Sequence, residues 1–222
     1  MSKTHRDLVL VGAGGYFLEL YDYITSDIEK GLLTGIELKG FLDESFDSPP
    51  RSLQYLGKPS EYQIKSDDVF LICLGKPQAR EAWFETLSLK GGQFFTYVHS
   101  SAIVSQTAVL GNGVIVAPFS IVNSDARVGD NVSLNVSTSV GHEAHVGRSS
   151  SLSPYSAING RASAGEQCFL GTRSTLFPGV SIGDQTIVDS HSYVNKDVGE
   201  RKIVAQRGTY ECLDNRFLRK KV

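Results

Sequence analysis

Residues 126–147 read ARVGDNVSLNVSTSVGHEAHVG. Val128, Leu134, Val140 and Val146 stand six apart, and two places before each comes Ala126, Val132, Thr138 or Ala144. Followed outward in the same phase, the step of six runs from Val104 to Val194 through sixteen aliphatic residues, and the residue two places earlier is small or Val every time. Gly or Asn often follows the aliphatic residue, as at Gly129, Asn135, Gly141 and Gly147. These types tolerate a positive φ, so a turn is predicted there.

A strict hexapeptide period has a physical cause. The chain winds as a triangular coil, each face takes six residues, the aliphatic side chain points inward, and the small residue fits the narrow interior near the corner. Three hexapeptides make a coil of about 18 residues, so the run holds roughly five coils. Parallel strands would set them about 4.8 Å apart. An unrelated β-sandwich would place turn signals every 8–12 residues and would not hold one phase.

Upstream the pattern changes. DLVLVG (7–12), IELKGFLDE (36–44), DVFLICLG (68–75) and QFFTYV (93–98) read as strands. Between them GYFLELYDYITSDIEKG (15–31) and PQAREAWFETLSLKG (77–91) read as helices, the second opening at Pro77. Phe17, Leu18, Tyr21, Ile24 and Ile28 fall near helical spacing. Alternating strand and helix implies a parallel, Rossmann-like sheet. The expected division is 1–97 for this α/β domain and 98–222 for the coil with a C-terminal cap.

Composition narrows the function classes. The 222 residues carry a net charge of −2, which gives no electrostatic reason to expect nucleic acid as a partner. Cys73, Cys168 and Cys212 are too few and too scattered for a disulfide framework or a zinc site, and read as buried free thiols. The first apolar run is too short for a secretory signal or a membrane span, so a cytoplasmic protein is expected.

The hexapeptides, together with GAGG after the first strand, FLDE after the second, LGKPQAR after the third and LNVSTSVGHEAHVG in the coil, resemble the bacterial sugar-nucleotide acetyltransferases of the left-handed β-helix superfamily. The nearest group includes N-acetyltransferases of UDP-4-amino sugars and sialic acid O-acetyltransferases. The resemblance spans nearly the whole chain and implies the left hand of the coil, which the period itself does not give. It implies an acetyl-CoA-dependent N-acetyltransferase acting on a UDP- or dTDP-linked 4-amino-4,6-dideoxy sugar for surface glycan biosynthesis, with no metal, working as a homotrimer. The alternatives are O-acetylation of a sugar hydroxyl, and a non-catalytic trimer that binds nucleotide sugar.

The register places both histidines of the opening stretch outside the core. His142 falls two places after Val140, at a corner; His145 falls just before Val146, outward on a strand. The resemblance assigns general base to His142 and its orienting acid to Glu143, and leaves His145 as surface. A base with a pKa near 7 suits removal of a proton from an amino sugar. Gly160 lies eighteen residues on, at the same corner of the next coil. The resemblance makes its N–H the donor to the oxyanion of the acetyl-CoA thioester. Asn135 matches an acceptor-contacting asparagine.

In the first domain, Gly12, Gly14 and Gly15 form a loop between strand and helix, suited to a diphosphate at the helix N-terminus. Tyr16 stands where similar enzymes usually carry histidine, and Ser151 where many carry a second one. The resemblance implies that Asp43 and Glu44, at the end of the second strand, read the nucleoside, and that Lys76 and Arg80, after the third, meet the phosphates. The C-terminal motif that lies near the coenzyme A adenine in such enzymes is absent from IVAQRGTYECLD (203–214).

Overall fold

The computed structural model describes residues 5–44, 51–206 and 208. Four parallel strands open the chain: β1 (Arg6–Val11), β2 (Ile36–Leu42), β3 (Asp68–Ile72) and β4 (Gln93–Phe94), in the sheet order β2-β1-β3-β4. Helix α1 (Gly15–Glu29) leads from β1 to β2, and α2 (Pro77–Leu89) from β3 to β4. From β1 the sheet order runs one way to β2 and the other to β3, so the β1–α1 and β3–α2 loops flank a switch point at the carboxyl edge, the usual place for a ligand in an open α/β sheet.

The predicted strand 93–98 is two strands. Gln93–Phe94 completes the small sheet, whereas Tyr97–Val98 pairs with Ile115–Val116 and is the first strand of the coil. From there the chain winds as a left-handed parallel β-helix of two-residue strands, with three faces of seven, six and five strands. The first face begins at Tyr97–Val98, the second at Ile103–Val104 and the third at Val109–Leu110. Each strand pairs with the strand eighteen residues on, as Val140 does with Ile158. Only the last turn shortens: Ile187 pairs with Ile203, sixteen residues away.

The inward aliphatic ladder from Val116 to Val194 is buried, and so are the small residues Ala126, Thr138, Ala144, Ser150, Ser156, Ala162 and Ser174 at the corners. Burying each aliphatic side chain contributes about 1.5–3 kcal/mol. The turn chemistry differs from the sequence expectation. Positive φ falls three places after the aliphatic residue, at Asn131, Ser137, Glu143, Ser149, Tyr155 and Arg161 among others, and not at the glycine that follows it. The backbone N–H there donates to the previous coil, as Glu143 does to the Ser124 carbonyl (2.9 Å), which holds ordinary side chains in the left-handed region. The glycines just after the aliphatic residue serve another need. A Cβ on Gly129 would stand 2.9 Å from the Arg148 nitrogen of the next coil.

The α/β unit packs on the first face and on the corner between the third and first faces. Asp27 of α1, 3% exposed, accepts hydrogen bonds from the Tyr97 hydroxyl (2.9 Å) and the Ser100 hydroxyl (2.8 Å). Burial works to raise the Asp27 pKa, but the bonds from Ser100 and Tyr97 outweigh it and hold the carboxyl below its ordinary value. Leu20 and Asp27 join Phe17 and Ile24 on the buried side of α1, because that helix faces the coil as well as its own sheet.

Arg80 of α2 corrects its expected role at the phosphates. It is wholly buried, and its guanidinium donates to the carbonyls of Ile72 (2.6 Å), Leu74 (3.0 Å) and Asn131, and to the Asn131 side-chain oxygen (2.9 Å). Burial pushes its pKa down to about 10. A planar fork of five donors suits this cage of carbonyls. Beside it Glu81 accepts from the Ser149 hydroxyl (2.5 Å) and pairs with Arg148. Thus α2 grips the same corner of two successive coils.

Cys73 and Cys168 are buried free thiols, pushed up to about 12 and about 11 by desolvation, while Cys212 lies outside the described residues. Among the described residues no helix is long and apolar enough to cross a membrane, and no cluster of three potential metal ligands forms.

Candidate active site

His142 occupies the corner between the second and third faces in the third coil, with its side chain 59% exposed. The turn that puts Glu143 at φ +58° also swings its carboxylate beside the ring. His142 Nδ1 lies 3.0 Å from Glu143 Oε2, and Arg161 Nε donates to the same oxygen at 3.0 Å. The hydrogen bonds from His142 and then Arg161 hold the Glu143 carboxyl below its ordinary pKa. A carboxylate at Nδ1 fixes the proton there and leaves Nε2 as the acceptor nitrogen.

Nε2 faces Gly160. A Cβ built on that glycine would collide with Nε2 and come within 2.7 Å of Cε1, so the ring occupies the space that any side chain at 160 would need. The Gly160 N–H donates no hydrogen bond among the described residues. The coil leaves this N–H outside its ladder at successive corners; at some a side chain takes it, as Asp130 accepts from Asn112 N–H (2.7 Å) and Asp184 from Glu166 N–H (2.8 Å), and at others, Ser124, Arg148 and Gly160 among them, no acceptor is found among the described residues. What sets Gly160 apart is that its bare donor stands beside the His142 imidazole.

His145 is exposed on the third face, between Arg127 and Ser163 of the adjoining coils, and takes no part in this group. Sequence reasoning missed Arg161. The eighteen-residue step from Glu143 was the signal that it stands directly below.

The α/β loops meet at the carboxyl edge of the small sheet. Gly14 and Gly15 are exposed at the start of α1, and a Cβ on either would touch nothing. Gly12 differs. It is buried at φ +99° and abuts the Leu74 side chain, so it shapes the loop rather than facing the open side. The Asp43 carboxylate accepts the Ala13 N–H (2.7 Å) and braces the same loop, while Glu44 accepts from Ser60 (3.3 Å) at the surface. Lys76 is exposed just before α2.

Where this edge meets the first face of the coil, a cleft of about 140 Å³ is lined by Tyr16, Glu19, Gly75, Ser133, Asn135, Ser151 and Phe169 among others. The Tyr16 hydroxyl bonds Ser133 Oγ at 2.6 Å, and burial raises its pKa well above the ordinary phenol value. The Ser151 hydroxyl is buried with no hydrogen-bond partner among the described residues. Asn135 lies at the corner between the first and second faces, its side-chain oxygen accepting the Val136 N–H (2.6 Å). It is therefore a full face away from His142, which follows it by seven residues along the chain. One chain holds two separate candidate half-sites, one around His142 and Gly160 and one around Tyr16 and Asn135.

No family model matches the chain. Its sequence is 30% identical over 115 residues to UDP-N-acetylbacillosamine N-acetyltransferase of Bacillus subtilis, a match covering 50% of this chain and 51% of that protein; the chain spans about half the length of this curated relative. A structure of perosamine N-acetyltransferase from Caulobacter crescentus, solved with CoA and GDP-perosamine, superposes with a TM-score of 0.81 at 24% identity, covering 89% of this chain and 92% of that one. PerB of the same organism gives 0.79 at 25% identity over the same shares. The acetyltransferase domain of PglB from Neisseria gonorrhoeae, solved with acetyl coenzyme A, gives 0.79 at 19% identity, covering 88% and 93%. The chain thus has the fold of these sugar N-acetyltransferases and resembles the bacillosamine enzyme in sequence over half its length.

Proposed function

We propose that this protein transfers the acetyl group of acetyl-CoA to the amine of a nucleotide-linked amino sugar. The observation that carries this reading is the pairing of an acceptor nitrogen, His142 Nε2, with a bare N–H donor, Gly160, at one corner of the coil. The bacillosamine and perosamine relatives support the substrate class. A UDP- or dTDP-linked 4-amino-4,6-dideoxy sugar is the finer proposal; the perosamine enzyme binds a GDP-sugar, so guanine belongs among the bases tested.

The chemistry follows from these groups. His142 Nε2 takes a proton from the sugar ammonium, and Glu143 stabilises the imidazolium that results. The freed amine attacks the thioester carbon, and the oxyanion that develops accepts the Gly160 N–H. Attack forms the C–N bond, and collapse re-forms the carbonyl and breaks the C–S bond. The proton held by His142 leaves with the coenzyme thiolate as the free thiol, and the second proton of the attacking nitrogen is lost to solvent, leaving the neutral amide. Gly14, Gly15 and Lys76 are proposed to hold the diphosphate and Glu44 to sit near the nucleoside, with Gly12 and Asp43 shaping that loop. Tyr16 and Asn135 are proposed to line the acceptor sugar.

The two half-sites lie on different corners of one prism, so a complete centre needs two chains. We propose a homotrimer in which the cleft of one chain faces His142 of its neighbour. The test is thiol release from acetyl-CoA against a panel of UDP-, dTDP- and GDP-linked amino sugars and their hydroxyl counterparts. Turnover confined to amino sugars is expected. Acetylation of the hydroxyl counterparts alone, or no turnover with any sugar, would refute the reading.

A further inference from the structure

Resting on the reading of His142 as the base, we infer that Arg161 is a positioning residue of the reaction: it shares the Glu143 carboxylate with the imidazole, and so sets how His142 stands and how firmly it holds a proton. The eighteen-residue step places Arg161 one coil below Glu143 in the same corner row. Its N–H donates to the His142 carbonyl (2.9 Å), and its side chain turns back so that Nε donates to Glu143 Oε2 (3.0 Å). That oxygen is also the one 3.0 Å from His142 Nδ1. One carboxylate oxygen therefore receives both donors.

The coil itself does not require this arginine. The same turn with positive φ is made by Asp125 one coil earlier and by Gly179 one coil later. The row reads Thr107, Asp125, Glu143, Arg161, Gly179 and Asp197, so Arg161 is its only cation and stands next to Glu143. Its side chain is 70% exposed, and an ion pair so open to water adds little to the stability of a fold. What the pair changes is the histidine.

Two effects follow. Two donors on one oxygen hold the carboxylate in a single orientation, which keeps the Nδ1 proton in place and Nε2 over Gly160. The guanidinium also offsets part of the negative charge that would otherwise stabilise the imidazolium alone. The neutral ring, the form that accepts a proton, then persists to lower pH. The other charged or titratable groups of the adjoining coils are Asp125 in the same row, and Arg127 and His145 on the third face. None of them bonds to Glu143 or His142 among the described residues.

The test is an imidazole NMR titration of the intact protein without substrate, at low ionic strength, with the His142 signal assigned by its loss in His142→Asn. In Arg161→Met the midpoint should rise by about half a pH unit, and in Arg161→Lys, which keeps the charge, by less. In a Glu143→Gln background the Arg161→Met change should move it much less, because the arginine acts through that carboxylate. With acetyl-CoA and the amino sugar that turns over, kcat in Arg161→Met should fall severalfold with both KM values unchanged, and the acid limb of the rate profile should follow the NMR midpoint. Equal midpoints in wild type and Arg161→Met overturn the inference. So does a shift that survives Glu143→Gln at full size, or a raised KM with kcat unchanged, which would make Arg161 a ligand contact. Dissociation of the oligomer by light scattering, which would make it a subunit contact, overturns it too. Failure of the acetyl-transfer reading looks different: no sugar is acetylated, while the His142 midpoint still responds to Arg161.

Discussion

The imidazole of His142 lies over the α-carbon of Gly160, in the volume that a side chain there would fill. The backbone at 160 is not in the left-handed region, so alanine is conformationally acceptable and only the ring objects. Gly160→Ala should therefore lower kcat at least tenfold by displacing the base, while the melting temperature moves by no more than a few degrees. Unchanged kcat would separate the glycine from the reaction.

His142→Asn should reduce kcat by roughly 10²-fold or more, the scale of a lost general base, with the fold intact because the side chain points outward. His145→Ala should change it little, since that ring stands out on the third face and makes no contact with the His142–Glu143–Arg161 group among the described residues. Steady-state kinetics on the two variants decides between them. A larger loss at His145 would show that the wrong histidine was chosen.

The two glycine types of the first loop should behave differently. Gly14→Asp adds a carboxylate at an open helix start and should raise KM for the nucleotide sugar while leaving KM for acetyl-CoA nearly unchanged. Gly12→Ala forces a Cβ at φ +99° against Leu74 and should instead lower the melting temperature. Thermal scans beside kinetics separate the two effects.

Arg80→Met removes five hydrogen bonds from a buried site and leaves the Asn131, Ile72 and Leu74 carbonyls facing apolar atoms. A loss of about 3 kcal/mol or more is expected, or roughly 6–12 °C in Tm. Were Arg80 a phosphate ligand, the variant would show a raised KM and an unaltered Tm.

Asp27 ties α1 to the first coil with a folded-state pKa below its ordinary value. Its contribution is then complete above the unfolded-state pKa near 4 and fades as pH falls through the lower folded value. Denaturant titrations should find wild type more stable than Asp27→Asn at pH 7, with the gap closing as pH falls below about 4. A gap that does not vary with pH would mean the carboxylate charge contributes nothing.

The coil was readable from sequence because its period leaves a mark on every sixth residue: Val128, Leu134 and Val140 point into the interior from the three faces in turn. The outward direction of His142 followed from the same count. What the count did not carry were contacts between the two halves. Arg80 looked like a loop cation because its partners, the carbonyls of Asn131, Ile72 and Leu74, have no side-chain signature. Tyr97–Val98 continued the run QFFTYV smoothly, and only pairing with Ile115–Val116 reveals which sheet owns it. The positive φ at Glu143 was equally hidden, since a backbone bond to the previous coil, not a residue type, stabilises it.

The eighteen-residue pairing converts chain length into angle. Each hexapeptide is a third of a revolution, so losing six residues inside the prism would rotate everything downstream by about 120°. Between His142 and Gly160 that rotation would carry the glycine to another edge, with every residue of both half-sites still present. Excising a whole revolution after Arg161 would keep base and donor together. Viable length variants of this protein are therefore expected to differ by whole turns.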